Sequence, residues 1–220
     1  MTDRVTVEVV DQRAAREEAL EPVAADSRQA FLRRAVVGGG AIVAGGILVA
    51  GLPRFTASAA PSAQQDVRIL NFAALLEYLQ AAFFTEAEVK AALSGETRQF
   101  ARVAGDHERQ HVNLFERTLG SKLRKKPTFD FGDATSDADR FRATAVVLED
   151  LAVAAYDGQA ALLTKPTLRV AAQIVSVESR HAAWARSLVG KSPAPRAYDP
   201  PATRPEVMRV VNGTNFVTSA

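Results

Sequence analysis

Cysteine is absent from the 220 residues. That excludes disulfides, thiolate metal sites, iron–sulfur clusters and cysteine nucleophiles. A large charge of one sign is missing too: 27 basic residues face 25 acidic ones, a net of +2. Such balance is no nucleic-acid footprint. The basic cluster KLRKK (122–126) falls in a loop and reads as solvated. Aromatic residues are only 7% of the chain, and histidine occurs three times. An alanine-rich chain with few aromatics fits helices packed on helices, and its length suits one domain with extensions.

Two of those three histidines stand in the same short word. Glu178-Ser-Arg-His181 lies in an amphipathic run over 169–189, and Glu108-Arg-Gln-His111 lies on an earlier one. Spacing of three stacks carboxylate and imidazole on one helix face, close enough to share a cation. A chance double occurrence has odds of about one in a hundred. Two further acids, Glu77 in LLEYL and Glu149 in VLEDLAV, sit inside apolar helical runs. An unpaired buried carboxylate costs several kcal/mol, so each needs a partner. Oxygen and nitrogen donors suit iron, manganese or zinc, and the carboxylate excess favours the harder ions.

Apolar periodicity predicts four long helices, over 66–93, 96–119, 136–163 and about 169–189, with Pro166 suited to the first turn of the last. Their inner stripes are Leu70/Ala73/Glu77/Ala81/Phe84, Ala101/Ala104/Glu108/His111/Phe115, Ala145/Glu149/Ala152/Val153/Tyr156 and Ala171/Ile174/Glu178/His181/Ala185/Leu188. The connection 120–136 is long and structureless in sequence. Sixteen residues reach at most about 53 Å, against about 33 Å for a 22-residue helix. The third helix can therefore start parallel to the second. Residues 192–205 are proline-rich and extended, and a short helix over 205–211 ends at Asn212-Gly213.

Several side chains near the acids have bland readings. Tyr156 follows Glu149 by two turns and reads as a core tyrosine, with donation to a metal-binding carboxylate or a redox role as the alternative. Tyr78 and Trp184 read as packing, Asp150 and Asp157 as solvated or adjoining the acids. His107 adjoins Glu108 but lies off the inward stripe.

The order Glu, Glu-x-x-His, Glu, Glu-x-x-His resembles the ligand set of ferritin-like di-iron or di-manganese four-helix bundles. The strings LNFAALLEYL (70–79), LEDLAVAAY (148–156) and VESRHAAW (177–184) are similar to exported ferritin-like proteins of the desiccation-related and sporulation-related type, over about 64–211. The resemblance implies an all-α bundle with one long crossover between its second and third helices. It implies two divalent ions, one on Glu77, Glu108 and His111, the other on Glu149, Glu178 and His181, with Glu108 and Glu178 bridging. Dioxygen or peroxide would be the small-molecule partner, with oxidation of Fe(II) or reduction of peroxide in stress protection as the reaction. A manganese-catalase-like enzyme and a non-catalytic bundle acting through its surface are the alternatives. A homo-oligomer is open, although a closed storage cage suits the long C-terminal extension poorly.

The N-terminal 59 residues read as an address. Residues 35–52 form an uncharged, glycine-containing apolar run, preceded by SRQAFLRR (27–34) and followed by Ala57-Ser-Ala59. The first string resembles the twin-arginine pattern S-R-R-x-F-L-K, with Gln29 for the second arginine and Arg33 for the lysine. The last is a signal-peptidase pattern that would leave a mature chain beginning near Ala60. Eighteen apolar residues are also just long enough to stay as a membrane anchor. The expected organisation is a signal at 1–59, the bundle at 60–191 and the extension at 192–220, exported to periplasm, cell wall or medium.

Overall fold

The computed structural model describes residues 60–219. The proposed signal, with its apolar run and cleavage pattern, lies outside the described residues. The chain forms α1 (Ala63–Lys90), α2 (Gly95–Leu119), α3 (Ala138–Ala160), α4 (Lys165–Leu188) and α5 (Arg204–Thr214), with strands β1 (Thr128–Phe129) and β2 (Val217–Ser219). Ser62 caps α1 by accepting from the Gln65 amide at 3.2 Å, and Asp137 caps α3 through Arg140 at 2.8 Å. Pro166 sits in the first turn of α4, where no amide hydrogen is needed. α1 is apolar around most of its circumference and is the most buried helix, as an all-round apolar helix must be.

The four long helices pack in pairs, α1 with α2 and α3 with α4. Contacts at their ends fix the directions. Asn71, early in α1, grips the chain just after α2: its amide donates to the Lys122 carbonyl at 3.0 Å and accepts from Arg124 at 2.7 Å. Phe141, at the start of α3, meets Phe100 at the start of α2 and Phe83 near the end of α1. Trp184, near the end of α4, donates to Glu96 at the start of α2 at 2.9 Å. Asp66, in the first turn of α1, binds Thr164 and Thr167 at the start of α4. So α1 and α4 run one way, α2 and α3 the other. The crossover from α2 to α3 travels the length of the bundle, as expected.

The crossover is more ordered than its sequence suggests. It contains two 3-10 turns, Gly120–Lys122 and Gly132–Thr135, and β1 pairs antiparallel with β2 from the far end of the chain. Phe131 packs on Phe83, and Thr135 donates to Glu86 at 2.6 Å. The partner of β1 lies about ninety residues away, so no local pattern announces it. The C-terminal helix also differs from expectation. It passes through Asn212-Gly213 and ends at Asn215 in the left-handed conformation. Val207 and Val211, one turn apart and fully buried, hold the helix through a glycine that costs only about 1 kcal/mol.

Two apolar clusters fill the bundle. One centres on Phe83, Phe84, Phe100 and Phe141; the other on Leu70, Phe115, Leu163 and Ile174. Glu77, Glu108, Glu149 and Glu178 fall between these clusters along their helices, so a charged layer divides an otherwise apolar core.

The extension straps onto α3. The Ala202 amide donates to the Ala154 carbonyl at 2.8 Å, and a Cβ on Gly158 would lie 1.8 Å from the Ala202 carbonyl oxygen. Gly158→Ala should therefore destabilise the domain by about 1–3 kcal/mol. Gly213→Ala, which meets nothing within 4 Å, should stabilise α5 by about 0.5–1 kcal/mol. Thermal melts of the two variants should move Tm in opposite directions; equal shifts would contradict the strap.

Candidate metal centre

Each long helix sends one carboxylate inward, and α2 and α4 add an imidazole one turn further on. Glu108, Glu149 and Glu178 are 0% exposed, Glu77 1% and His181 3%; His111 is partly buried. All six residues read from sequence meet in one cluster. Their ligand atoms form two overlapping groups. Glu77, Glu108, His111 and Glu178 make one; Glu108, Glu149, Glu178 and His181 make the other. Within each group the atoms lie within 4.8 Å of one another, and Glu108 and Glu178 belong to both.

The contacts are close but poorly satisfied as hydrogen bonds. His111 Nδ1 lies 3.1 Å from both Glu77 Oε2 and Glu178 Oε1, and His181 Nδ1 lies 3.1 Å from Glu108 Oε1. Of these, only the Glu77 contact has hydrogen-bond direction. Both oxygens of Glu108, Glu149 and Glu178, and Nδ1 of His181, are buried without a hydrogen-bond partner. Buried polar atoms are normally paired, and an orphaned set of this size marks a place built for an ion. The donors present, carboxylate oxygens and imidazole nitrogens, fit a pair of divalent cations.

Without cations, protons must offset the charge. Burial, then the charge of Glu77, pushes Glu108 up to about 7. Burial and the Glu178 charge push Glu149 to about 8, and burial and the Glu108 charge push Glu178 to about 8. The histidines move upward as well. Burial opposes their charge, but the surrounding carboxylates prevail, raising His111 to about 12 and His181 to about 10.

Two neighbours complete the centre. Tyr156 is buried and donates its hydroxyl to Glu77 Oε1 at 2.5 Å. Burial and the charges of Glu77 and Glu178 hold that phenol well above its ordinary value, so it stays a donor. The core-tyrosine reading and the donor reading thus coincide. His107 stays outside both ligand groups, as its place off the inward stripe implies, but its Nδ1 lies 2.9 Å from His181 Nε2, a contact the sequence reading did not foresee. Adjacency to Glu108 hid this. A usable signal was the i,i+4 spacing to His111, which puts both rings on one side of α2. Asp150 instead pairs with Arg186 at 2.8 Å, and Trp184 packs edge-on against Phe100.

A bundle of two antiparallel helix pairs, joined by one full-length crossover around a buried Glu/His cluster able to hold two metal ions, is a ferritin-like protein. The family model of the ferritin-like domain matches residues 65–191, and the chain belongs to that family. No curated protein matches the chain.

The protonation pattern makes a pH prediction for the metal-free chain. Glu108, Glu149 and Glu178 rise from 4.5, and His111 and His181 rise from 6.5, so the folded state binds protons more tightly than the unfolded state. Their contribution is complete below the unfolded values and is lost as pH climbs through the folded ones. In chelator, Tm should fall from pH 5 to pH 9, the carboxylate share being gone by about pH 8. A Tm that is flat or rising over that range would contradict the shared-proton cluster.

Proposed function

We propose that this chain is an exported ferritin-like redox protein, holding two iron or two manganese ions and turning over Fe(II) or peroxide. The observation that carries the reading is the sharing of Glu108 and Glu178 between the two ligand groups. One ion would lie on Glu77, Glu108 and His111, the other on Glu149, Glu178 and His181, with Glu108 and Glu178 bridging. Four carboxylates match the charge of two divalent cations, and a carboxylate-rich donor set without sulfur favours the harder redox ions.

Held by these residues, two Fe(II) would supply the two electrons that, with two protons, reduce one hydrogen peroxide to two waters, leaving two Fe(III). The chain's own groups prepare that chemistry. Tyr156 orients Glu77 by donating to one of its oxygens, leaving the other for the ion. The two apolar clusters keep bulk water from the carboxylates. A centre this enclosed admits a small oxidant, dioxygen or peroxide, rather than a bulky organic substrate.

Export rests on the SRQAFLRR string, the apolar run and Ala57-Ser-Ala59. The family phrases add the desiccation-related or sporulation-related type and a part in stress protection. A folded-state export route suits a metalloprotein, because the metal can be chosen before the chain leaves the cell.

Metal content is the deciding measurement. The chain purified without chelator should carry roughly two ions, falling below about half an ion in Glu108→Ala and Glu178→Ala. Loading should release at least the protons of His111 and His181, so affinity should rise with pH. Less than half an ion in the wild type, after iron and manganese are offered, would leave a bundle that works through its surface. Oxygen evolved from peroxide by a manganese form would mark a catalase-type activity instead of ferroxidase.

Export makes a separate prediction. Expressed in full in a bacterial host with the twin-arginine pathway, the chain should be recovered outside the cytoplasm with its N-terminus near Ala60. Arg33→Lys/Arg34→Lys should hold it inside. Recovery of the intact chain in the membrane would identify an anchor.

A further inference from the structure

A histidine offers a metal one ring nitrogen only while the other is held, usually by donating its N–H to a carboxylate or carbonyl. The two histidines of the centre are held differently. His181 presents Nδ1 to the carboxylates, 3.1 Å from Glu108 and 3.5 Å from Glu149, and its Nε2 lies 2.9 Å from Nδ1 of His107. The two rings are 14° from coplanar with centroids 5.1 Å apart, so the nitrogens meet edge to edge. For His111, among the described residues, the recorded partners all face Nδ1.

We propose that His107 is the positioning residue of the His181 half of the centre: its Nδ1 accepts the Nε2–H of His181, which fixes the His181 ring with its Nδ1 facing Glu108, Glu149 and Glu178. This rests on the metal-centre reading above and says which residue outside the six ligands one ion depends on. The choice of an imidazole acceptor has a physical consequence. A carboxylate in its place would fix the same tautomer but add a fifth negative charge to four already crowded together. An imidazole orients the ring without that charge, so the filled centre stays neutral. His107 is only partly buried and lines a surface cleft of ≈ 600 Å³ with Arg102, Asp106 and Arg109. It is not a core packing residue, and replacing it leaves the bundle's apolar clusters intact.

The test separates orientation from mere packing. The full chain, freed of metal, is titrated with Mn(II), and free Mn(II) is read by electron paramagnetic resonance. Wild type, His107→Leu, His107→Asn, His181→Ala and the double variant His107→Leu/His181→Ala are compared. Asn can place its Oδ1 where His107 has Nδ1 and so keeps the acceptor; Leu removes it. The expected result is that His107→Leu weakens one of two ions by about 10–100-fold while the other is held, and that His107→Asn restores most of the loss. In the His181→Ala background, His107→Leu should change nothing further, because its effect passes through His181. Nitrogen-15 spectra of the metal-free wild type should show the His107 proton on Nε2 and none on Nδ1.

His107→Leu binding like wild type would overturn the proposal, as would Leu and Asn variants equally weakened, both ions weakened alike, or a loss that adds to that of His181→Ala. A proton found on His107 Nδ1 would overturn it without reference to any metal. A wild-type chain that takes no Mn(II) would instead remove the metal-centre reading, and this proposal with it.

Discussion

Four carboxylates at the middle of an apolar bundle are the constraint on which the rest of this structure depends. Such groups cannot stay ionised and alone in a low-dielectric interior. They are kept there by one another's protons, by His111 and His181, and by the Tyr156 hydroxyl. Every long helix contributes one acid, so the cluster assembles only when all four are in register. The apolar clusters on either side make the register costly to slip. Moving one helix by a turn would put a carboxylate among Phe83, Phe100 and Phe141, or against Leu70 and Ile174.

The connections serve that register. A crossover running the length of the bundle lets α3 start at the same end as α2 and run in the same direction, packed on α4 and α1, which brings Glu149 in at the height of Glu108. Asn71 grips its beginning, Thr135 and Phe131 dock its end, and β1 is pinned by β2. The C-terminal extension crosses α3 at Gly158, and α5 inserts Val207 and Val211 into the core. A segment that carries none of the centre's groups thus helps hold the helix that carries Glu149 and Tyr156.

The six donors were readable because helical spacing is a local property. Glu-x-x-His is a statement about three residues and one face, and an acid amid alanine, leucine and valine is conspicuous by composition. The inner stripes followed from the same periodicity, and nearly all of their members are buried. The crossover was readable from length, since a long loop after a helix can reach the bundle's other end. His107 was not readable as part of the centre, because its partner is seventy-four residues away on another helix. The β1–β2 pairing and the docking of the extension on α3 were hidden for the same reason.

Sequence alone determined the helices, their inward faces and the chemical type of the centre. Those are set by the 3.6-residue repeat and by the cost of burying charge, and both are written locally. Tertiary structure alone decided that Tyr156 holds Glu77 and that the outer nitrogen of His181 meets His107. Each of those is a meeting of side chains from different helices, a few ångströms in space and tens of residues in sequence. The direction and depth of helix packing set such distances, and no short stretch of the chain contains them.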